Sequence, residues 1–149
     1  DALTPSAIVD GVKAGRTYVS DDADLALYVG QHSIGETVKI ASQYSEILIR
    51  VYIRTRRKGR LDVYLGRSVV MEKQLVPGCE AFELKLPVGG MKQDSYIRVQ
   101  LIRQERKPSY YSARLKKQIP SELKDYVGML SSPIYLDFAP YNDRWKTLD

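Results

Sequence analysis

The chain has 149 residues, of which 44% are hydrophobic, and this length is enough for one domain with its own core. Its single cysteine, Cys79, excludes an internal disulfide framework, and no apolar run approaches the ~18 residues that a membrane-spanning helix needs. The net charge of +5 permits weak attraction to anions but is too small for the basic surface of a dedicated nucleic-acid-binding domain.

The first predicted element is a short helix from Pro5 to Ala14. Thr4 suits its N-cap, a proline suits its first position, and Gly15 suits the left-handed residue that ends it. Ile8 and Val12 lie one turn apart, so the apolar stripe is narrow, and a helix of this length is marginal alone. We therefore expect another surface to cover the stripe and the helix to lie outside the core of the domain that follows.

After the helix the hydrophobic period becomes twofold, which is typical of half-buried strands. The alternating segments are Leu25–Val29, Val38–Ile40, Ile47–Ile53, Leu61–Leu65, Phe82–Leu86, Ile97–Leu101 and Ile134–Phe138. Glycine and proline residues separate them at hairpin spacing, and nearly all connections are too short for crossover helices. With Arg16–Ser20 and Val69–Val76 added, about nine strands are predicted, and they favour an all-β, antiparallel, immunoglobulin-like sandwich over residues 16–138.

Two segments interrupt this pattern. Tyr110 to Leu130 is polar, and it is predicted to be a long loop that contains one or two helical turns capped by Ser121. Residues 139–149 are predicted to form a polar C-terminal tail. The chain shows no internal repeat and no low-complexity linker that would divide it further.

Few residues suit catalysis or metal binding. His32, the single histidine, lies in a polar turn without a second histidine or cysteine nearby, so a solvated loop residue is favoured over a base or a ligand. Asp21, Asp22 and Asp24 are the best candidates for a hard cation such as calcium, but their spacing does not match an EF-hand, and turn formation is the favoured explanation. No Walker loop, nucleophile elbow, HExxH or GxGxxG sequence occurs, so we predict no catalytic, metal-binding or cofactor-binding residue.

Positive charge is densest from Arg54 to Arg60, at a predicted hairpin tip, and Arg103, Arg106 and Lys107 form a smaller group. Both groups have the composition of a phosphate-binding surface. We nevertheless expect the hairpin arginines to be solvated, and any binding to nucleic acid to be weak, sensitive to salt and without sequence selectivity.

Alternation also places tyrosine and arginine side chains on the strand faces opposite the apolar ones. This candidate ligand or interdomain face comprises Arg50, Tyr52, Arg54, Arg56, Tyr64, Tyr96 and Arg98. Stacked tyrosine and arginine side chains hold bases or sugar rings, which makes a carbohydrate or an anionic ligand a candidate partner. A solvated face, or one that packs on a neighbouring domain, has the same composition, and that interpretation is favoured.

The most specific motifs lie at the two ends of the chain. Ile8 to Ser20 ends in Gly-Arg-Thr-Tyr-Val-Ser, and Ser132 to Leu136 reads Ser-Pro-Ile-Tyr-Leu. Together with Gly30 and Ile34 to Val38, they resemble the downstream part of PHP-type (polymerase and histidinol phosphatase) metal-dependent hydrolases of the carbamate-esterase-like branch. The resemblance implies that residues 1–15 end an upstream metallohydrolase barrel and that the chain then enters a β-sandwich.

The resemblance also implies a non-catalytic role for this chain. The metals of the family are held by histidines and carboxylates of the barrel, upstream of the helix, and no residue here matches those ligand motifs. The expected function is an accessory or interaction module that packs on the hydrolase domain of the same polypeptide and shapes substrate access or assembly. The alternative is a free-standing β-sandwich that binds a carbohydrate or another polymer through the tyrosine and arginine residues named above.

Overall fold

The computed structural model describes residues 4–40, 46–89, 91 and 93–138, and the predicted tail, 139–149, lies outside this part of the chain. Helix α1 spans Pro5–Lys13. Within the described residues thirteen strands follow: β1 Tyr18–Ser20, β2 Ala23–Val29, β3 His32–Ser33, β4 Thr37–Ile40, β5 Glu46–Thr55, β6 Gly59–Leu65, β7 Ser68–Leu75, β8 Gly78–Pro87, β9 Ser95–Lys107, β10 Tyr110–Ser112, β11 Lys117–Ile119, β12 Glu122–Ser131 and β13 Ile134–Phe138.

Helix α1 begins and ends as its sequence predicts. The Thr4 Oγ1 atom accepts a hydrogen bond from the backbone N–H of Ala7 at 3.2 Å, and Gly15 leaves the helix with a φ of 68°. None of the helix side chains is buried, so the helix lies outside the core. Across the described ranges, no helix has the length and apolar composition to cross a membrane.

Eleven of the thirteen strands form two sheets that share a single apolar core, and β10 and β11 form a separate two-stranded sheet. The smaller sheet has the order β3-β2-β5-β8. In the larger sheet, β9 pairs with β6 on one side and with β12 and β13 on the other, while β7 extends β6, β1 pairs with β12 and β4 pairs with β13. Of the strand pairs formed by described residues, β4 with β13 alone is parallel. The predicted all-β sandwich preceded by one short helix is confirmed.

The core is built from the residues that alternation places on the inner faces. The side chains with no exposed surface are Ile49, Val51, Leu61, Val63, Ile97, Val99, Leu101 and Ile134. Burying each of them contributes about 1.5–3 kcal/mol relative to an exposed position. They fix which face of each strand points outward, and so they decide which polar side chains are available to a ligand or a partner.

The segment from Tyr110 to Leu130 is a strand-rich hairpin, and the prediction of a long loop is wrong. β12 pairs antiparallel with the second half of β9, and β10 pairs with β11 beyond them. Ser121 lies just before β12 and caps no helix. The prediction failed because an exposed two-stranded ribbon has no buried face, and so its sequence lacks the apolar alternation from which strands are recognised.

Candidate functional site

The most deeply buried charged group is Arg103, on β9, with an exposure of 2%. It continues the inward alternation of Ile97, Val99 and Leu101, so the strand itself directs the guanidinium between the two sheets. A buried guanidinium without acceptors would be strongly unfavourable, and its five N–H groups therefore need partners. Arg103 thus does not belong to the phosphate-facing group that the sequence suggested.

The Arg103 guanidinium joins three separate parts of the chain. Its Nε donates to Asp21 Oδ2 at 2.9 Å, and Nη1 donates to the carbonyl oxygens of Arg57 and Lys58 at 2.8 and 3.1 Å. Its Nη2 donates to Thr55 Oγ1 at 3.0 Å, to Asp21 Oδ1 at 3.2 Å and to Asp22 Oδ1. The turn between β1 and β2 and the hairpin between β5 and β6 are therefore both tied to β9.

A second arginine, Arg57, binds the same two carboxylates. Its Nη2 donates to Asp21 Oδ2 at 2.6 Å, and its Nε donates to Asp22 Oδ2 at 2.7 Å. Its Nη1 donates to the hydroxyl of Tyr126 on β12 at 3.1 Å. The hydrogen bond to Asp22 raises the pKa of Arg57. We call Asp21, Asp22, Arg57 and Arg103 the arginine–aspartate cluster, in which two negative charges face two positive ones.

The cluster keeps Asp21 ionised. Burial raises the pKa of Asp21, but hydrogen bonds from Arg103 and from the backbone N–H of Asp22, together with the Arg103 charge, outweigh burial and leave the pKa below its ordinary value. A carboxylate with a lowered pKa is a poor general acid near neutral pH. Asp21 and Asp22 lie in the turn between β1 and β2, as the sequence favoured, and arginines bind the oxygens of both carboxylates, so these oxygens are not free to bind calcium.

The other candidate ligands are apart from one another. Asp24 accepts a hydrogen bond from Arg54 Nε at 2.8 Å on the outer face of the smaller sheet. His32 lies exposed on the short strand β3, opposite Val29 of β2. In the part of the chain that the structure describes, no three His, Cys, Asp or Glu side chains converge as a metal site.

Glycine at position 128 makes room for the cluster. It lies at the bulge between Val127 and Met129, where the register of β12 against β9 shifts. A Cβ atom at this position would lie 2.8 Å from Arg103 Nε and 3.0 Å from Asp21 Oδ2. Arg103 is recognisable in the sequence, because it continues an inward-facing apolar alternation, whereas nothing in the polar segment around Gly128 indicates its role.

Three of the predicted tyrosine and arginine residues, Arg50, Tyr52 and Arg54, lie on the outer face of the smaller sheet. Arg50 donates to a backbone carbonyl at 2.7 Å, and the hydrogen bond to its aspartate partner raises the pKa of Arg54. Tyr52 meets Tyr28 edge to face, with ring centroids 6.3 Å apart. A shallow depression of about 400 Å³ adjoins this group between β2, β5 and β8, and its lining includes Tyr52, Arg54 and Ala81.

Three others, Tyr64, Tyr96 and Arg98, lie on the outer face of the larger sheet. The Arg98 guanidinium lies 3.9 Å from the centroid of the Tyr64 ring, so these two side chains bind each other. The seventh, Arg56, lies in the turn after β5, because the strand ends at Thr55. Because the two outer faces point away from each other, the seven predicted residues do not form one surface. Alternation shows which residues share a face of one strand, but it does not show which strands share a sheet.

The basic hairpin between β5 and β6 is largely neutralised. Arg54, Arg57 and Arg60 each form an ion pair with aspartate, and the bond to its partner raises the pKa of Arg60. Within the described ranges, Arg56 and Lys58 are the members of this hairpin that have no carboxylate partner. Arg57 remains about half exposed within its ion pairs, so the expectation that the hairpin arginines are solvated rather than ligand-bound stays a prediction.

The segments that carry the family resemblance meet at the base of the helix. Ser132 donates its backbone N–H to the carbonyl of Thr17 at 3.0 Å, and their hydroxyls are 3.2 Å apart. Gly35 donates to the carbonyl of Pro133 at 2.9 Å. Gly35 also lies so close to the helix end that a Cβ atom there would be 2.5 Å from the carbonyl oxygen of Ala14. Motifs that are distant in the sequence thus build one junction.

Comparison with known proteins adds no assignment: no protein-family model matches the chain, and no curated protein matches it significantly.

Proposed function

We propose that the chain is a non-catalytic β-sandwich module of a PHP-like metal-dependent hydrolase, and that it packs on an upstream hydrolase domain of the same polypeptide. The observation that carries this proposal is the uncovered helix α1. Its apolar side chains Ile8, Val9 and Val12 are all exposed. A nine-residue helix is marginal in water unless packing covers its apolar face, so a partner surface is needed.

The junction at the base of the helix supports a fixed attachment. Thr17 and Gly35 hold the helix end against the Ser132–Leu136 segment through backbone hydrogen bonds and close backbone contact. A helix anchored in this way presents its apolar stripe in one direction. The helix and the Gly-Arg-Thr-Tyr sequence that follows it resemble the end of a PHP-type barrel, and this resemblance supplies the partner that covers the stripe.

The arginine–aspartate cluster supports a structural rather than a catalytic role. Asp21 and Asp22 are the carboxylates best placed by the sequence to attract a cation, and guanidinium groups bind both of them. PHP-type chemistry, as the resemblance implies it, uses metal-bound hydroxide, which requires a cluster of imidazole and carboxylate ligands. In this proposal that cluster belongs to the upstream domain.

The proposal is tested in the polypeptide that contains the upstream residues. A His-x-His motif and further His and Asp ligands are expected there. The double substitution Ile8→Ser/Val12→Ser should separate one cooperative thermal transition into two, while Lys13→Gln on the same helix leaves a single transition. In the isolated chain the double substitution should leave the melting temperature unchanged. An equal loss of stability in the isolated chain, or an upstream sequence without such ligands, would contradict the proposal.

A second candidate function is favoured by the depression beside Tyr52. This depression combines an exposed aromatic ring with apolar and polar lining on the outer face of the smaller sheet, which suits a sugar ring. The test is calorimetric titration with soluble polysaccharides. Tyr52→Ala should abolish binding, whereas Tyr135→Ala, an exposed tyrosine on the larger sheet, should not. No heat of binding with any polysaccharide would exclude this alternative.

A further inference from the structure

The ribbon formed by residues 104–125 projects from the sandwich. We call these residues the arm. The distal half of β9 pairs with β12 at its root, and β10 pairs with β11 at its tip. Every side chain of the arm except Ser112 and Ile119 is exposed. The arm adds almost nothing to the core, so the stability of the core does not explain which side chains it carries. We therefore take their charge and polarity as an indication of contact with another molecule.

Negative charge in the arm is confined to its root. The acidic residues there are Glu105, Glu122 and Asp125. The strand register places Glu105 opposite Lys124 and Glu122 opposite Lys107, and Lys124 Nζ also lies 3.3 Å from Glu122 Oε1. The root is therefore close to neutral. The arginine–aspartate cluster fixes its orientation, because Arg103 lies on β9 directly before the arm begins.

All the charged residues at the tip of the arm are basic. From residue 106 to residue 121 the sequence contains no aspartate or glutamate. Arg114, Lys116 and Lys117 are exposed at the turn, and none of them has a carboxylate partner among the residues that the structure describes. Leu115, which is 58% exposed, lies between the first two of these basic residues. The tip thus combines concentrated positive charge with one uncovered aliphatic side chain.

The conformation of the tip is defined. The Ser112 Oγ atom accepts a hydrogen bond from the backbone N–H of Leu115 at 3.2 Å, and Lys116 has a left-handed φ of 51°. Behind the turn, Tyr110 and Tyr111 are 58% and 63% exposed and point to opposite faces of the ribbon. At the rise of a strand, they lie about 7–10 Å behind the start of the turn.

We propose that the tip of the arm docks on the surface of an anionic lipid bilayer. An amphipathic element enters such a surface by about 5–10 Å, which lets Leu115 reach the acyl boundary while Tyr110 and Tyr111 remain among the headgroups. Arg114, Lys116 and Lys117 then face the lipid phosphates. A nucleic acid would engage the basic and tyrosine side chains, but it leaves the aliphatic residue at the apex without a role. This inference does not rest on the proposed hydrolase association.

The first test is co-sedimentation of the full chain with vesicles of phosphatidylcholine that contain about one third phosphatidylserine. Binding is expected to these vesicles, to weaken with salt, and to be absent with phosphatidylcholine alone. Removing two tip charges with Lys116→Gln/Lys117→Gln should lower partitioning about 30-fold. The matched control, Arg56→Gln/Lys58→Gln, removes the same charge from exposed positions on another hairpin and should change partitioning by less than about twofold.

The second test separates lipid from nucleic acid. Leu115→Gln keeps the charge and the size of the side chain but removes its apolar character, and it should lower vesicle binding about tenfold. Because Leu115 is exposed, the circular dichroism spectrum should not change. The proposal is overturned by an absence of binding to the anionic vesicles, or by equal losses in the tip and control double variants. It is also overturned if Leu115→Gln leaves vesicle binding unchanged while the chain binds a single-stranded oligonucleotide.

Discussion

Replacing Arg103 with methionine tests whether the arginine–aspartate cluster holds the sandwich together. Methionine fills much of the same space but donates no hydrogen bond, so the Thr55 hydroxyl and two backbone carbonyls lose a donor. Removing one partner of a buried ion pair costs about 3–5 kcal/mol. Because Arg57 still faces both Asp21 and Asp22, we expect the lower end, about 3 kcal/mol.

The measurement is the free energy of unfolding from urea titration, followed by circular dichroism. The control is Arg54→Met, which removes an arginine–aspartate pair whose side chains are 67% and 57% exposed, and it should cost less than about 1 kcal/mol. If Arg103→Met does not fold, Thr55→Val removes one acceptor of the same guanidinium together with the hydrogen bond from the Thr55 hydroxyl to the Arg57 carbonyl, and it should cost about 1–3 kcal/mol. Equal losses for Arg103→Met and Arg54→Met would refute the reasoning.

Further predictions concern the glycines, the helix and pH. Gly128→Ala should lower the free energy of unfolding by about 1–3 kcal/mol, measured by urea titration, because the buried guanidinium beside its Cβ cannot move away. Gly35→Ala should lower the melting temperature more than Gly30→Ala, since both have positive φ but a Cβ on Gly30 meets no atom within 4 Å. Deleting residues 1–14 should cost at most about 1–2 kcal/mol and leave urea unfolding cooperative, and a loss of cooperativity would place the helix in the core. The pKa of Asp21 is lower in the folded chain than its value of about 4 in the unfolded chain, and this difference stabilises the fold. The stabilisation is fully present above the unfolded pKa and is lost as pH falls through the folded pKa. Acidification should therefore lower the melting temperature of Asp21→Asn by less than it lowers that of the unsubstituted chain.

The sequence predicts the strands of the sandwich wherever a strand has one solvent-exposed face and one buried face. β5 and β9 carry the alternation that gives both their existence and their inner face. Helix α1 is equally predictable, because its cap, its first proline and its terminal glycine are local signals. β10, β11 and the distal half of β12 have no buried face, so their pairing depends on the partner strand and leaves no periodic signal.

The polar groups were less predictable than the strands. The sequence shows that Asp21 and Asp22 occupy a turn. Their partner Arg103 is 82 and 81 positions further along the chain, and only the packing of the two sheets brings it near them. The sequence does indicate that Arg103 is buried, because it continues the alternation of inward-facing residues along β9. Six of the seven tyrosine and arginine residues lie on outer faces, as alternation predicts, whereas Arg56 lies in the turn after β5. The division of the six between two sheets depends on strand order, which alternation does not encode.

The central claim, that the chain is a non-catalytic module of a metal-dependent hydrolase, is tested most directly by comparing two purified proteins. One is this chain, and the other is the polypeptide that includes the upstream residues. Elemental analysis is paired with aryl-phosphate and aryl-ester assays in added manganese or zinc. We expect bound metal and turnover in the longer polypeptide and neither in the chain alone. Stoichiometric metal in the isolated chain, with turnover that His32→Ala removes, would show that the chain is itself an enzyme.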